Sequence, residues 1–386
     1  MHDVYFKGLS DALKRAGLMR PTLVIDRARL AANIAAIRKS VDAAKLPLRI
    51  VAKSLPSPRL LETIMRGMES RRLMVFSADM LLQLWPLHPD CEYLLGKPLP
   101  VSEFLRVHKD RLGNPGLSVE WLIDTPERLA QYIEAAKAIG VALRVNFEID
   151  VGLHRGGFTD PQALAAAVRQ AQAAKVEIAG LMGYEPHIPK MPSPDKAYAG
   201  AQSAYSAMIE VLKGADLDPG QLTLNSAGSP TFRRHCQGTV ANEVSVGSAF
   251  VKPGDFDLDD LADLLPASFI ATPVIKASPD QALPGVEALS GAMHWWDRNT
   301  QRGFFIHGGH WLAKPVSPPG LQYSKLFGRS SNQELLTGSK LVELKPDDHV
   351  FLRPDQSEAL FLQFGDIAVY DGHEIAEMWP TLPVSA

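Results

Sequence analysis

The chain has 386 residues, of which 46% are hydrophobic and 22% charged, as in average soluble globular proteins and enough for two or three domains. Its formal net charge of -3 argues against nucleic acid or an anionic membrane as a partner. The first segment is charged, no long apolar run occurs and there are only two cysteines, so we expect a soluble, cytoplasmic protein without a signal peptide, membrane span or disulfide framework.

Residues 1–19 form an amphipathic segment, which we expect to pack against a later domain. From about residue 21 to 250, short apolar runs then alternate with helical stretches. Eight runs predict β-strands: Leu48–Lys53, Leu73–Ser77, Glu92–Gly96, Val119–Asp124, Ala142–Asp150, Glu177–Tyr184, Leu222–Ser226 and Glu243–Ser248. Because helices separate most of them, the runs indicate a parallel sheet covered by helices. Eight such units predict a (β/α)8 barrel of the TIM type, with an open doubly wound sheet as the alternative.

After Pro266 the helical periodicity fades, and Gly, Pro and aromatic residues interrupt short alternating runs. Four of these runs predict β-strands: Phe304–Ile306, Lys340–Leu344, His349–Leu352 and Ile367–Tyr370. The sequence therefore predicts an α/β fold with two domains. The barrel comprises residues 20–260, and residues 261–386 together with 1–19 form a mainly β domain.

Lys53 ends the first predicted barrel strand. Functional groups of such barrels lie at the carboxyl ends of the strands. Apolar neighbours favour the neutral form of a lysine amine, which is the form that attacks carbonyl groups in Schiff-base chemistry. The alternative is a lysine whose stem lies along the strand end while its amine reaches solvent.

Two further strand ends carry candidate side chains. The loop DVGLHRGGF (150–158) surrounds Arg155 with glycines, which let the backbone approach a ligand. An ordinary loop whose arginine pairs with a carboxylate fits this pattern as well. The loop GYEPHIP (183–189) contains Tyr184 and His187. A histidine there can act as a general base near neutral pH, or it can be a plain surface residue.

Small residues follow the seventh and eighth predicted strands, in NSAGSPT (225–231) and VGS (246–248). Hydroxyls and backbone N–H groups of this kind form phosphate cradles. The phosphate site of a barrel is frequently built from the loops after these same two strands. Each Gly-Ser pair is a weak signal alone, and its position in the barrel supports it.

The motifs PTLVID (21–26), VAKSLPSP (51–58), DVGLHRGGF and GYEPH follow one another in the order found in fold-type III pyridoxal-phosphate enzymes. The chain resembles the D-threonine aldolase and D-serine dehydratase family, relatives of the alanine racemase barrel. The resemblance covers nearly the whole chain and is strongest from residue 21 to about 255. It implies a barrel with a β domain, in a homodimer whose active sites lie near the subunit interface.

The resemblance also implies roles for individual residues. Lys53 would bind pyridoxal 5′-phosphate as a Schiff base, and Arg155 would position the cofactor or its lysine. His187 would be the base for the β-hydroxyl of the substrate, with Tyr184 lining the same pocket. The other cofactor-binding residues would be Ser226 and, around the phosphate, Gly228, Ser229, Gly247 and Ser248.

The family's metal site usually has a histidine followed two residues later by cysteine or aspartate, near the C-terminus. Here the stretch is DGHEIAEMW (371–379), in which His373 matches the histidine but Ile375 cannot bind a cation. A divalent metal (Mg, Mn or Zn) therefore needs Asp371, Glu374 or His349 as a ligand, or the site is empty.

These residues predict retro-aldol cleavage of a β-hydroxy-D-amino acid to an aldehyde and glycine or a related amino acid. One alternative is a dehydratase of the D-serine or hydroxyaspartate type, which needs acid assistance to the leaving hydroxide. Another is a racemase, which needs a second base such as Tyr323. A non-catalytic pyridoxal-phosphate carrier and a metal-dependent hydrolase using His307, His310 and His373 are alternatives of other classes.

Overall fold

The structure is a computed structural model that describes residues 2–109, 118–279, 295–324 and 328–383. The chain forms two compact units. The barrel unit consists of Ile34–Phe250, Leu258–Asp263 and Leu382–Ala386, and the β unit of Met1–Asn33, Val251–Asp257 and Leu264–Thr381. None of the described helices is long and apolar enough to cross a membrane.

Eight parallel strands close into a barrel. They are β2 (Leu48–Val51), β3 (Arg72–Val75), β4 (Glu92–Leu95), β5 (Val119–Ile123), β6 (Arg144–Ile149), β7 (Glu177–Gly183), β8 (Thr223–Ser226) and β9 (Glu243–Val246). The barrel closes where β9 pairs with β2, with Val246 level with Ile50. Each strand overlaps one of the eight predicted runs, so the predicted barrel is confirmed and the open doubly wound sheet is wrong.

Helices cover the outside of the barrel, as the alternating pattern predicts. They are α2 (Arg27–Ala43), which begins in the β unit, α3 (Pro58–Met68), α4 (Ala78–Leu84), α5 (Val101–Lys109), α6 (Pro126–Ile139), α7 (Pro161–Ala173), α8 (Pro194–Gly214) and α9 (Phe232–His235). The start of α6 shows why these segments are helical. Thr125 accepts a hydrogen bond from the backbone N–H of Arg128 at 3.1 Å, and Pro126 occupies the first turn, where its missing N–H costs nothing.

The inside of the barrel is polar near the amino ends of the strands. Arg49 is fully buried, and its Nε lies 2.6 Å from Oε1 of Glu243. Asn225 donates to the same carboxylate at 2.7 Å and to Ser245 at 2.9 Å. Because a buried charge is tolerated only when it is paired and hydrogen-bonded, this network allows a charged residue inside the barrel.

The β unit contains one sheet of nine strands among the described residues. They are β1 (Thr22–Asp26), β10 (Ser268–Ser278), β11 (Arg302–His307), β12 (Ala313–Ser317), β13 (Gln322–Tyr323), β14 (Gln333–Gly338), β15 (His349–Pro354), β16 (Ile367–Tyr370) and β17 (Ile375–Trp379). The predicted strand at Lys340–Leu344 is wrong, because that segment is a turn followed by irregular chain. The strand precedes it, as β14.

The first strand and first helix both belong to the β unit. Helix α1 (His2–Arg15) packs Phe6, Leu9 and Leu13 into an apolar cluster with residues of the sheet, as the amphipathic pattern predicts. Strand β1 pairs antiparallel with β10 and parallel with β16. This division differs from the sequence-based assignment of residues 20–260 to the barrel, since β1 finds its partners in the other sheet.

Candidate active site

Lys53 lies in a single 3₁₀ turn, Ala52–Ser54, that directly follows β2. The side chain is half-buried, and its Nζ lies 4.6 Å from the centroid of the Phe76 ring. Phe76 follows β3, so the ring forms an apolar wall at the carboxyl end of the neighbouring strand. The predicted strand-end lysine therefore lies at the end of the barrel where functional groups occur.

Gly247 brings the end of β9 against the Lys53 turn. A Cβ at position 247 would lie 2.8 Å from Cβ of Val51 and 3.1 Å from Oγ of Ser54. The hydroxyl of Ser248 donates to Oγ of Ser54 at 3.0 Å. Only a residue without a side chain allows these two turns to approach so closely.

Ser229 connects the loop after β8 to the same point. Its Oγ accepts hydrogen bonds from the backbone N–H groups of Gly247 at 3.2 Å and Ala249 at 3.0 Å. Ser54, Ser229 and Ser248 are all buried. Three hydroxyls from the loops after β2, β8 and β9 therefore converge at one point, and hydroxyls grouped in this way can bind phosphate.

Tyr184 and Arg155 form a stack beside this cradle. A Cβ on Gly228 would lie only 2.5 Å from Cε2 of Tyr184, so the ring packs directly on the glycine. The guanidinium carbon of Arg155 lies 5.0 Å from the centroid of the Tyr184 ring, and its Nη2 lies 3.6 Å from Oε1 of Glu148. Burial raises the pKa of Glu148, and the nearby Arg155 only partly opposes that shift.

The loop after β6 is held by Asp150, whose Oδ1 accepts the N–H groups of Gly152 at 2.9 Å and His154 at 3.0 Å. Burial would raise the pKa of Asp150, but these bonds and the His154 ring hold it below its usual range. Gly152 has a φ of +106°, and a Cβ there would lie 3.4 Å from Nε2 of His187. The Nδ1 of His187 is buried without a hydrogen-bond partner among the described residues.

Sequence reasoning missed Glu185, which lies between Tyr184 and His187 and is 0% exposed. Its carboxylate accepts hydrogen bonds from Ser226 and Thr231 and contacts Nε2 of His235. Burial alone would raise the pKa of Glu185, but His235 and the two hydroxyls together hold it below its usual range. In the sequence, Glu185 is a glutamate within the motif GYEPH. Nothing nearby in the chain distinguishes it from an ordinary loop glutamate, because its hydrogen-bond donors lie in another segment.

The predicted catalytic and cofactor-binding residues all lie at or just beyond the carboxyl ends of barrel strands. They are Lys53, Arg155, Tyr184, His187, Ser226, Gly228, Ser229, Gly247 and Ser248. A cavity of about 780 Å³ opens at the opposite, amino end, where Arg72, Glu92 and Arg144 line it. Each of these three charges has an ion-pair partner, and none of the predicted residues lines that cavity.

The predicted metal ligands belong to the β unit. His373 is exposed, and Oδ1 of Asp371 accepts the N–H groups of His373 and Glu374, both at 2.9 Å. These two backbone bonds lower the pKa of Asp371. Within the described ranges, no group of three or more His, Cys, Asp or Glu side chains could hold a metal ion. The donor set in this part of the chain therefore does not fit a three-ligand metal centre.

The barrel end does fit pyridoxal 5′-phosphate. Lys53 provides an amine. The three buried serine hydroxyls provide polar contacts for a phosphate group, and Gly247 leaves open the space that a side chain at that position would fill. The rings of Tyr184 and Phe76 provide flat apolar surfaces for an aromatic ring.

Comparisons with known proteins agree with this architecture. A family model described as alanine racemase, N-terminal domain, matches residues 25–253. The structure is similar to D-threonine aldolase from Filomicrobium marinum, with 19% identity, a TM-score of 0.72 and coverage of 93% of this chain and 94% of that one. For D-threo-3-hydroxyaspartate dehydratase from Delftia sp. HT23 the identity is 16%, the TM-score 0.74 and the coverage 95% and 98%.

Alanine racemase from Bacillus anthracis is 14% identical, with a TM-score of 0.69 and coverage of 93% of this chain and 97% of that one. No curated protein matches the chain by sequence. At such low identities the similarity to these solved structures shows a shared fold.

Proposed function

Because the chain belongs to the family of the alanine racemase N-terminal domain, among the fold-type III pyridoxal-phosphate enzymes, we propose that it is a pyridoxal-phosphate-dependent lyase. Its substrate is a β-hydroxy-D-amino acid, which it cleaves by a retro-aldol reaction. The products are an aldehyde and glycine or a related amino acid.

The observation that carries this proposal is the contact between Gly247 and the Lys53 turn. Lys53, which carries the amine, is followed in sequence by Ser54, whose hydroxyl accepts from Ser248, and Ser229 is bonded to the same loop as Ser248. An amine beside a phosphate cradle suits a cofactor that has an aldehyde and a phosphate group. A solvent-reaching lysine would need no such neighbours.

The reaction divides into roles for this chain's own residues. Lys53 would hold the cofactor through its amine. The ring of His187 accepts the proton of the β-hydroxyl, so that a carbonyl group forms at Cβ as the Cα–Cβ bond breaks, and a proton then returns to Cα to complete the amino-acid product. When bound, the cofactor supplies an electron sink for the pair left at Cα. Arg155, whose guanidinium lies over the Tyr184 ring, would help to hold the cofactor in place.

A metal is not part of this proposal, because the described donor set around His373 and Asp371 does not fit a metal centre. The exposed His307 and His310 likewise give no support to the metal-dependent hydrolase. His187 is instead the group that we assign to the β-hydroxyl proton, since it follows the carboxyl end of β7, where barrels place their functional groups.

The dehydratase remains the second candidate, favoured by the similarity to D-threo-3-hydroxyaspartate dehydratase. Racemisation is less well supported. The hydroxyl of Tyr323 donates to the backbone carbonyl of Ala313 at 2.6 Å, and burial raises the pKa of Tyr323 well above its usual value. A tyrosine whose proton is held in this way is a poor second base in this chain.

The test is a panel of β-hydroxy-D- and L-amino acids incubated with the purified protein, with aldehyde and keto acid measured separately. We expect aldehyde from D-substrates, visible absorbance from bound cofactor, and loss of both in Lys53→Ala. Keto acid and ammonia would identify the dehydratase. A Lys53→Ala variant with unchanged absorbance and activity would refute the cofactor assignment.

The proposal extends to the assembly. We propose a homodimer that acts on a small-molecule amino acid, as in the family that the motifs resemble. Light scattering on the purified protein, at concentrations below and above about 1 μM, measures its oligomeric state directly. A monomer throughout that range would contradict the dimer.

A further inference from the structure

Glu185 is a buried charge that the proposed reaction does not use. It follows β7 by two residues, and its carboxylate is enclosed by groups from a different loop. Oε2 accepts from Oγ of Ser226 at 3.0 Å, and Oε1 accepts from Oγ1 of Thr231 at 2.6 Å. Nε2 of His235 lies 3.2 Å from Oε1. Three partners in one buried site require an explanation, because burying a carboxylate is costly unless every contact is satisfied.

The partners of Glu185 bracket the phosphate cradle. Ser226 ends β8 and Thr231 precedes α9, so the loop between them contains Gly228 and Ser229. The backbone N–H of Gly228 donates to Oγ1 of Thr231 at 3.2 Å, which extends the network into the loop itself. A single carboxylate therefore binds both ends of the segment that would hold the phosphate.

That loop needs such a restraint. Ala227 has a φ of +71°, in the left-handed region that residues with a Cβ rarely occupy. A strained backbone persists only where its surroundings determine its conformation. The bonds of Glu185 to Ser226 and Thr231, on either side of Ala227, supply that restraint.

Glu185 also belongs to the loop of the proposed base. Tyr184, the preceding residue, packs on Gly228, and His187 follows two residues later. The backbone N–H of Ile188 donates to the carbonyl of Glu185 at 3.3 Å, which closes the turn that contains His187. One residue thus links the segment that would move a proton to the segment that would hold the phosphate.

We propose that Glu185 is a positioning residue. It fixes the conformation of the loop 227–230 as a phosphate-binding site and holds that loop in a constant position relative to His187. The inference rests on the proposed function, since it assumes a cofactor that bears a phosphate. It predicts that loss of the Glu185 charge weakens recognition of the phosphate group more than recognition of the pyridoxal ring.

The experiment compares binding of pyridoxal 5′-phosphate and pyridoxal, which lacks the phosphate, to the full-length protein freed of cofactor. The Kd of pyridoxal divided by the Kd of pyridoxal 5′-phosphate measures the contribution of the phosphate to binding. In the wild type we expect pyridoxal 5′-phosphate to bind on the order of 100-fold more tightly, from several charge-assisted hydrogen bonds. In Glu185→Gln the ratio should fall at least tenfold as an order of magnitude, mainly through the phosphate compound.

The matched control is Glu243→Gln, which also removes a buried barrel carboxylate, at the amino end beside Arg49. It should lower the apparent Tm while leaving the ratio of Kd values unchanged. An equal fall of the ratio in both variants, or an unchanged ratio in Glu185→Gln, would overturn the inference. If Glu185→Gln fails to fold, Thr231→Val decides in its place, because it removes one bond to Oε1 at a residue outside the predicted cofactor-binding set and should lower the ratio about threefold by the loss of about one hydrogen bond.

Failure of the proposed function gives a different result. A wild-type protein that binds neither pyridoxal 5′-phosphate nor pyridoxal would end the cofactor assignment itself. A wild type with a strong preference for the phosphate compound, retained in both Glu185→Gln and Thr231→Val, would leave the function standing and refute the role of Glu185.

Discussion

Replacing Gly247 by alanine tests the close approach on which the proposed site depends. The added Cβ would lie 2.8 Å from Cβ of Val51 and 3.0 Å from its carbonyl oxygen, whereas carbon atoms pack at about 3.5–4.0 Å. Both neighbours are backbone or next to it, so they cannot rotate away. The end of β9 and the Lys53 turn must therefore separate by about 1 Å to restore an ordinary contact.

Overpacking of this kind costs about 1–3 kcal/mol. With roughly 2–4 °C per kcal/mol for a unit of this size, a loss of about 2 kcal/mol lowers the apparent Tm by roughly 4–8 °C. A displacement of about 1 Å between reacting groups lowers kcat/KM on the order of 100-fold. Gly247→Ala should therefore affect activity far more than stability.

The assays are thermal unfolding, the Kd for pyridoxal 5′-phosphate and aldehyde release from the best substrate. The matched control is Gly200→Ala in α8, where a Cβ would meet nothing within 4 Å. That change should stabilise the helix by about 0.5–1 kcal/mol and leave activity unchanged. Wild-type Tm, affinity and activity in Gly247→Ala would refute the close approach between β9 and the Lys53 turn.

Two further predictions concern the Arg155 side of the site. Arg155→Ala should lower kcat/KM at least tenfold as an order of magnitude. The apparent Tm should change by less than about 4 °C, because an ion pair whose arginine is 53% exposed contributes about 0–1 kcal/mol. Arg155→Lys should not restore activity, since only the planar guanidinium stacks over Tyr184. Unchanged kinetics in Arg155→Ala would contradict this. Burial raises the pKa of Glu148, so the stability linked to its protonated form is present below the ordinary value of about 4.3 and is lost as pH rises through the raised pKa. Glu148→Gln should therefore be more stable than the wild type at pH 7 and nearly equal to it at about pH 4; parallel Tm curves would show that Glu148 is not desolvated.

Local patterns were sufficient for the barrel strands, because each buried strand of a parallel sheet is a short apolar run between helices. They were not sufficient for Lys340–Leu344, where a Leu-Val pair suggested a strand but the chain turns. Val342 contacts the sheet from that turn, and a Cβ on Gly338 would lie 3.0 Å from its Cγ2. A single buried valine next to a turn therefore produces the same short apolar pattern in the sequence as a β-strand does.

The strand-end position of Lys53 and the Gly-Ser pairs after β8 and β9 could be predicted from the sequence, since they depend on residues close together in the chain. Tertiary structure decided that β1 pairs with β10 and β16, because pairing depends on segments more than 200 residues apart in sequence. It also decided the role of Glu185, whose donors Ser226, Thr231 and His235 lie 41 to 50 residues away. A buried carboxylate differs from an exposed one only through such distant partners, and burial and pairing are properties of the folded chain.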